Sequence, residues 1–395
     1  MDVAIIGGGA AGMCLAVAAA RENPDAKIEV IEKNKELGKK ILATGNGRCN
    51  ISNRNASGLN PVLDFFESIG LMLREENEGR LYPYSEQAGA VVAALEREMD
   101  RLGIQKRTLS EVEKIEKAGS GFRIHLKNGE TLSSKKVAIT TGGKAAPQYG
   151  TTGDGYSFAR GFGHRIVRLV PTLMPLVCEG NFETIKGVRA KGRVTLLKEG
   201  VPVCIETGEI QFTEEGLSGI CIFNLSRLLK IEEGMNLDEG FRKYTISIDF
   251  VPEKTPEALL RHLRERKKRD ADQPAAALLH SIINSKLEPF VCESILGKRK
   301  TTAGGITEEE LKKLAEGIKA FELRVTGGKG WKFAQCTGGG VSMDEINMDT
   351  LESTLVKGLF FGGEIIDYDG PCGGYNLQNA WANGLVAGCN IVKGI

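Results

Sequence analysis

Met1-Asp2-Val3-Ala4-Ile5-Ile6-Gly7-Gly8-Gly9-Ala10-Ala11-Gly12 opens the chain, and Glu32 lies 20 residues beyond Gly12. The apolar run up to Gly7 reads as a buried strand, the glycines as a turn, and Ala10 to Arg21 as a helix with no breaker before Pro24. Lys27 to Glu32 then reads as a second strand ending in an acid. Strand, Gly-x-Gly-x-x-Gly turn, helix and acid fall where a dinucleotide-binding fold needs them. Gly7 permits the tight turn, Gly9 lets backbone approach a pyrophosphate, and Gly12 allows helix and sheet to pack closely. The N–H groups at Ala10, Ala11 and Gly12 open the helix toward the phosphates. Glu32 can accept from ribose hydroxyls and would repel a 2′-phosphate. An adenosine diphosphate moiety is expected, in FAD or NAD.

Composition narrows the class. A chain of 395 residues suggests two to three domains on the usual ~150-residue prior. With 41% hydrophobic and 26% charged residues it is an ordinary globular composition. No apolar stretch reaches the ~18 to 20 residues of a membrane span, and the first strand leaves no room for a leader. A cytoplasmic location without membrane attachment is therefore expected. Nine scattered cysteines with no C-x-x-C pair argue against a disulfide framework and a metal site. The 50 glycines cluster at the ends of apolar runs, as around a phosphate-bearing cofactor.

Gly38 to Asn53 shows neither helical nor strand periodicity and reads as a long polar loop that wraps a ligand. Residues 86 to 102 read as a helix; strand-like stretches follow at 108 to 115, 121 to 126 and 136 to 140, with Asn128-Gly129 as a hairpin signal. The last of these ends at Thr141-Gly142-Gly143 and returns the chain to the cofactor, placing Gly142 there. Gly153 to Gly163 reads as another glycine-opened helix. Near Lys186 the pattern turns to short alternating strands up to about residue 250, then to mainly helical segments. Residues 186 to 333 carry 26 basic and 22 acidic residues, the remainder 26 and 29. Arg261, Arg264, Arg266, Lys267, Lys268 and Arg269 form a basic run there, with Lys298-Arg299-Lys300 adding charge. The run reads either as a solvated helix face or as a polyanion-binding patch. A last strand at Leu359 to Phe361, a glycine-rich loop to Asn376 and a closing helix rejoin the N-terminal sheet, so the large domain is expected to be discontinuous.

These segments closely resemble a family of bacterial NAD(P)/FAD-dependent, aminoacetone-oxidase-like flavoproteins that includes 3-dehydro-bile acid Δ4,6-reductases and a ribosomal RNA dihydrouridine synthase. The likeness rests on residues 7–12, 39–53, 79–83, 140–156, 171–176, 208–219 and 362–388, in order along nearly the whole chain. It implies an α/β (α+β overall) fold: a discontinuous Rossmann-like FAD-binding domain, 1–185 and 334–395, with an inserted domain at 186–333. That insert would be antiparallel and β-barrel-like over 186–250 and mainly helical over 251–333.

The resemblance implies FAD as cofactor, with Gly7, Gly9, Gly12, Glu32 and Lys33 on its adenosine diphosphate half. Lys40, Thr44, Gly45, Arg48, Cys49 and Asn50 would lie along phosphates or flavin, and Gly363 and Glu364 near the ribityl chain. Gly374, Tyr375 and Asn376 would flank the ring, which carries the redox step. No second complete Gly-x-Gly-x-x-Gly exists, so NAD(P)H is expected only as a transient reductant. Cys49, Tyr375 and Asp367 are the candidate proton donors; the four histidines show no ligand-like spacing. The expected activity is reduction of an activated C=C bond, in a uracil of ribosomal RNA or in a small enone such as a steroid. The basic insert inclines the choice toward RNA. A flavin-dependent amine oxidase, and a non-catalytic flavin-containing RNA-binding or redox-sensing protein, are the alternatives.

Overall fold

Val3–Ile6 is the strand that the opening run predicts, and all four residues are buried because parallel neighbours flank it on both sides. Ile28–Ile31 pairs on one side and Lys136–Ile139 on the other. Gln105–Arg107 extends the sheet beyond the first, Leu359–Phe361 beyond the second, both in parallel. Two short antiparallel strands, Glu352–Ser353 and Ile346–Asn347, complete a seven-stranded sheet at the edge. In this computed structural model residues 1–232, 234–297 and 301–395 are described; Lys298, Arg299 and Lys300 of the expected basic charge lie outside them.

The first helix, Ala10–Glu22, is buried along Ala11 to Ala20, because its other side meets the last helix, Tyr375–Ile391. Small residues make that contact close. A Cβ on Gly384 would stand 2.5 Å from the Ala11 carbonyl oxygen, and one on Gly388 2.6 Å from that of Leu15. The return of the chain to the N-terminal sheet is thus built on glycine and alanine at both helix faces.

The chain divides into two compact units, Met1–Thr172 with Ala334–Ile395, and Leu173–Phe333. The second unit holds a closed six-stranded barrel in the order 176–178, 216–218, 201–212, 189–198, 244–249 and 321–328. Its first strand, Leu176–Cys178, precedes the change of pattern near Lys186. Its last strand, Phe321–Gly328, falls in the stretch expected to be mainly helical. There Phe321, Leu323 and Val325 point inward while Glu322 and Arg324 point out, the period of two that a strand requires. The helices Pro256–Arg269, Leu287–Leu296 and Glu308–Lys319 fill the sequence between.

The polar segment 38–53 is also more ordered than its sequence suggests. Lys39–Ala43 forms a short helix after left-handed Gly38, anchored by buried Ile41, and Ser52–Asn53 pairs with Arg80–Pro83. Among the described residues no helix is long and apolar enough to cross a membrane, no group of side chains could hold a metal ion, and all nine cysteines are free.

Candidate functional site

At the end of the first strand, two glycines are required by the fold itself. Gly7 has φ +104°, and its carbonyl oxygen accepts from Thr140 Oγ1 at 2.8 Å. A Cβ on Gly12 would stand 2.0 Å from that same oxygen. Gly9 differs: its φ is −85°, and a Cβ there would meet no heavy atom within 4 Å. Nothing in the chain demands glycine at position 9, and the space where its side chain would stand is open. Gly9 caps the helix without a side-chain acceptor, leaving the N–H groups that open it without intrahelical partners and at the positive end of the dipole. Ala10 and Ala11 supply no side chain that reaches these groups.

Glu32 braces this turn. Its Oε2 accepts from Gly8 N–H at 2.8 Å, and its Oε1 from Asn34 N–H at 2.8 Å and Asn34 Nδ2 at 2.7 Å. A carboxylate has about four acceptor sites, so capacity remains for a ribose hydroxyl.

The cations expected along the phosphates already have carboxylate partners. Lys33 is paired with Asp154 and donates to Thr152 Oγ1. Lys40 Nζ lies 2.7 Å from Glu364 Oε2; burial alone would pull its pKa down, but the carboxylate beside it leaves it raised. Glu364 Oε1 accepts from Thr337 N–H at 2.9 Å, and Thr337 Oγ1 accepts from Lys144 and Ala145 N–H groups at 2.8 and 3.0 Å. Lys40 and Glu364 therefore lace together three glycine-rich segments. Arg48 stacks on Tyr82 with its guanidinium carbon 4.3 Å from the ring centroid, and meets Glu76 at 3.1 Å and Glu86 at 3.3 Å. These three cations thus have carboxylate partners within the chain, whereas the start of the first helix has no side-chain cap.

Among the buried oxygens without a hydrogen-bond partner in the described residues, Asn50 Oδ1 and Thr141 Oγ1 lie in these glycine-rich segments, while Thr213 Oγ1 lies in the second unit. Thr141 follows the strand Lys136–Ile139, beside Gly142 at φ +72°. Asn50 Oδ1 stands 2.9 Å from where a Gly374 Cβ would be, and Gly374 is the left-handed N-cap of the 17-residue last helix. Leaving a buried acceptor unpaired costs about 1–3 kcal/mol. Their grouping at strand ends and a glycine-opened helix suits a polar ligand, and the residues present fit a dinucleotide. Thr44, Gly45 and Asn50 lie on one turn, where Thr44 Oγ1 donates to Ile41 O at 2.7 Å and a Gly45 Cβ would come 2.7 Å from Asn50 N. Gly363, at φ +80°, packs on Ala11. Asn376 closes its own loop, accepting from Gly370 N–H at 2.8 Å and donating to Gly370 O at 2.9 Å.

The three proton-donor candidates are not brought together. Cys49 is buried at φ +59°, and desolvation pushes its thiol up to about 12. Asp367 is held above the usual carboxylate range by burial, with Arg165 opposing. Tyr375 donates its hydroxyl to Asn53 Oδ1 at 3.2 Å. No hydrogen bond among the described residues joins any two of them. Asn53 and Arg80, which meet this loop, did not figure among the expected site residues; only the position of Arg80 in the Gly79–Pro83 motif hinted at them. Of the histidines, His164 is buried between Glu345 and Ser353.

In the second unit the basic helix is partly paired: three carboxylates, Glu308, Asp270 and Glu265, face its cations. Arg264 pairs with Glu308, Arg266 with Asp270 and the Ala277 carbonyl, and Lys267 with the Ile306 carbonyl. Lys268 meets Glu265 and Arg269 meets Asp270. Arg261 is exposed on the same helix.

The model of the HI0933-like protein Rossmann domain matches residues 1–61 and 58–390. The chain belongs to the HI0933-like family. Within reach of this HI0933-like chain, 3-dehydro-bile acid Δ(4,6)-reductase of Clostridium scindens is 35% identical over 98% of each chain. Ribosomal RNA dihydrouridine synthase of Haemophilus influenzae is 27% identical, also over 98% of each. Among solved structures, a 3-ketosteroid-Δ4-(5α)-dehydrogenase of Rhodococcus jostii has the same fold at 14% identity, with a TM-score of 0.50 over 99% of this chain and 96% of that one. The HI0933-like chain is an enzyme of the oxidoreductase class, as its reductase relative is.

Proposed function

We propose that this oxidoreductase binds FAD and reduces an electron-poor carbon–carbon double bond conjugated to a carbonyl in a small molecule. The observation that carries the cofactor is Gly9: a glycine the fold does not need, capping a helix whose N–H groups face no acceptor, next to the ribose-type acid Glu32. The adenosine diphosphate half would lie on Gly7 to Gly12 and Glu32, the flavin between Asn50 and the Gly374–Asn376 helix start. The bound flavin supplies a hydride equivalent. The chain's own groups orient it: Lys40 with Glu364 fixes the loops, and Asn50 Oδ1 offers an acceptor to a ring N–H.

The choice of a small enone follows from the 35% identity to a named bile acid reductase and from the paired state of the basic helix. A polyanion would have to displace those intramolecular partners. NAD(P)H would serve as a transient reductant, since Gly338-Gly339-Gly340 ends a strand paired with Val170–Thr172 and leads to no α-helix.

The test is reoxidation of photoreduced, flavin-loaded protein under anaerobic conditions. A 3-oxo-4,6-diene steroid is expected to restore the oxidised flavin spectrum within seconds to minutes; ribosomal RNA at equal concentration is expected to leave it reduced. Reoxidation by RNA alone would move the substrate to RNA, and reoxidation by neither would remove the reductase reading.

A further inference from the structure

The absent side chain of Gly373 leaves an atom-sized space with polar walls. Its φ of +117° suits glycine, and the point where a Cβ would stand lies 3.6 Å from Arg80 Nε, 3.7 Å from Asn53 Nδ2 and 3.9 Å from Tyr375 Cε2. Three segments converge on this point. Arg80 starts the strand Arg80–Pro83, Asn53 is its antiparallel partner, and Tyr375 is the first residue of the last helix.

The frame around Arg80 is built without the guanidinium. Asn53 Nδ2 donates to Gly373 O and Glu78 O, both at 3.0 Å, and Asn53 Oδ1 accepts from Tyr375 and from Asn55 N–H. Both amide hydrogens of Asn53 are thereby used. Arg80 is differently placed. Its Nη2 meets Glu78, but that carboxylate is 72% exposed, so solvent screens the pair and holds the guanidinium weakly. Its side chain is itself only 20% exposed, and Nε has no acceptor among the described residues. A sheltered planar cation with a spare donor thus faces a gap beside a helix N-terminus, where the dipole adds positive potential.

We propose that Arg80, framed by Asn53 and Tyr375 across the Gly373 gap, is an oxygen-recognition subsite that holds the carbonyl oxygen of the substrate. The proposal rests on the reductase reading above. In that reaction a bound, reduced flavin would supply the hydride equivalent: its N–H bond breaks as a C–H bond forms at the β-carbon, and the C=C π pair moves toward the carbonyl oxygen. A proton taken from water then joins the α-carbon, leaving hydroxide, so that two C–H bonds form, one π bond is lost, and the flavin would be oxidised as the substrate is reduced. Negative charge grows on the oxygen on the way, and a guanidinium beside it stabilises that charge more than it does the ground-state carbonyl.

The experiment compares wild type, Arg80→Lys and Arg80→Ala, each purified with its flavin. Flavin content and spectrum are expected to match in all three, which separates a substrate role from a cofactor or folding role. For reduction of the 3-oxo-4,6-diene steroid, kcat/KM is expected to fall about 100-fold or more in Arg80→Ala. Arg80→Lys is expected to retain part of it, and added guanidinium ion to restore part of the Ala variant's rate. An Ala variant within threefold of wild type, or one that loses flavin, overturns the proposal. Should the wild type turn over no enone, phenolate is the probe, binding as an anionic oxygen beside oxidised flavin and perturbing its absorption. A perturbation of wild type that weakens tenfold in Arg80→Ala supports the subsite independently of the reaction. Equal phenolate affinity in both proteins, or no phenolate perturbation of wild type, rejects it.

Discussion

The two units differ in how many of their helix beginnings carry a side-chain cap. In the first unit the helices starting at Ala10, Lys39, Asp154 and Tyr375 are all preceded by glycine, at Gly9, Gly38, Gly153 and Gly374, with no side chain capping any of them. In the second unit Asn236 and Thr255 cap the helices Leu237–Phe241 and Pro256–Arg269, and Thr307 with Glu310 forms a full capping box on Glu308–Lys319. The second unit thus satisfies these three helix starts with its own side chains, whereas Ile220–Arg227 after Gly219 and Leu287–Leu296 after Lys286 have no side-chain cap. The first leaves N–H groups unsatisfied and, at Gly9, keeps the space before them clear. Open donors without caps lower the stability of the empty chain and create places for an anionic or carbonyl-bearing ligand.

Substitutions can break that comparison. Gly12→Ala has the largest expected effect, because a methyl 2.0 Å from the Gly7 carbonyl oxygen must push strand and helix apart. Loss of about 3 kcal/mol or more is expected, read as a shift of the denaturation midpoint or as insoluble protein. An Ala variant as stable as wild type would mean that the turn is not packed as described.

The same helix shows the contrast at its other end. Glu98, 8% exposed, receives Arg21 and Arg101; their hydrogen bonds, Arg101 foremost, hold its carboxyl at about 2 against the opposing effect of burial. Its folded value lies below its unfolded one, so its contribution is complete above about pH 4.5 and is lost as pH falls toward 2. Glu98→Gln is expected to cost about 1–2 kcal/mol at pH 7. The gap to wild type should narrow between pH 4.5 and 2 in urea titrations; a gap independent of pH would contradict the assignment. Smaller still, Thr307→Ala should cost about 1 kcal/mol through loss of its cap, with flavin content unchanged. A loss of flavin there would end the contrast between the units.

The sequence was most legible where the signal is local. Val3 to Ile6, the glycine turn, the alanine-rich helix and Glu32 are neighbours in the chain, and each residue type carries its reason with it. Partners far away in sequence were not legible. The pairing of Arg264 with Glu308, 44 residues on, and of Lys40 with Glu364, 324 residues on, had no local signal. Asn53 and Arg80 were hidden for a related reason: each looks like an ordinary polar residue until the short strand pair sets both against Gly373. The strand Phe321–Gly328 was obscured because its inward partners come from Leu176–Cys178 and Tyr244–Asp249 rather than from adjacent sequence.

The central claim is that Gly9 is kept free for a ligand and not for the fold. Gly9→Asp tests it most directly, because an aspartate there fits the turn, can cap the first helix for about 1 kcal/mol and places negative charge where phosphates would lie. Flavin stoichiometry after purification, together with the melting temperature of the flavin-free protein, reads both halves. The expected result is a variant devoid of flavin whose flavin-free form melts no lower than wild-type apoprotein; a variant that carries flavin with wild-type stoichiometry and affinity would contradict the account.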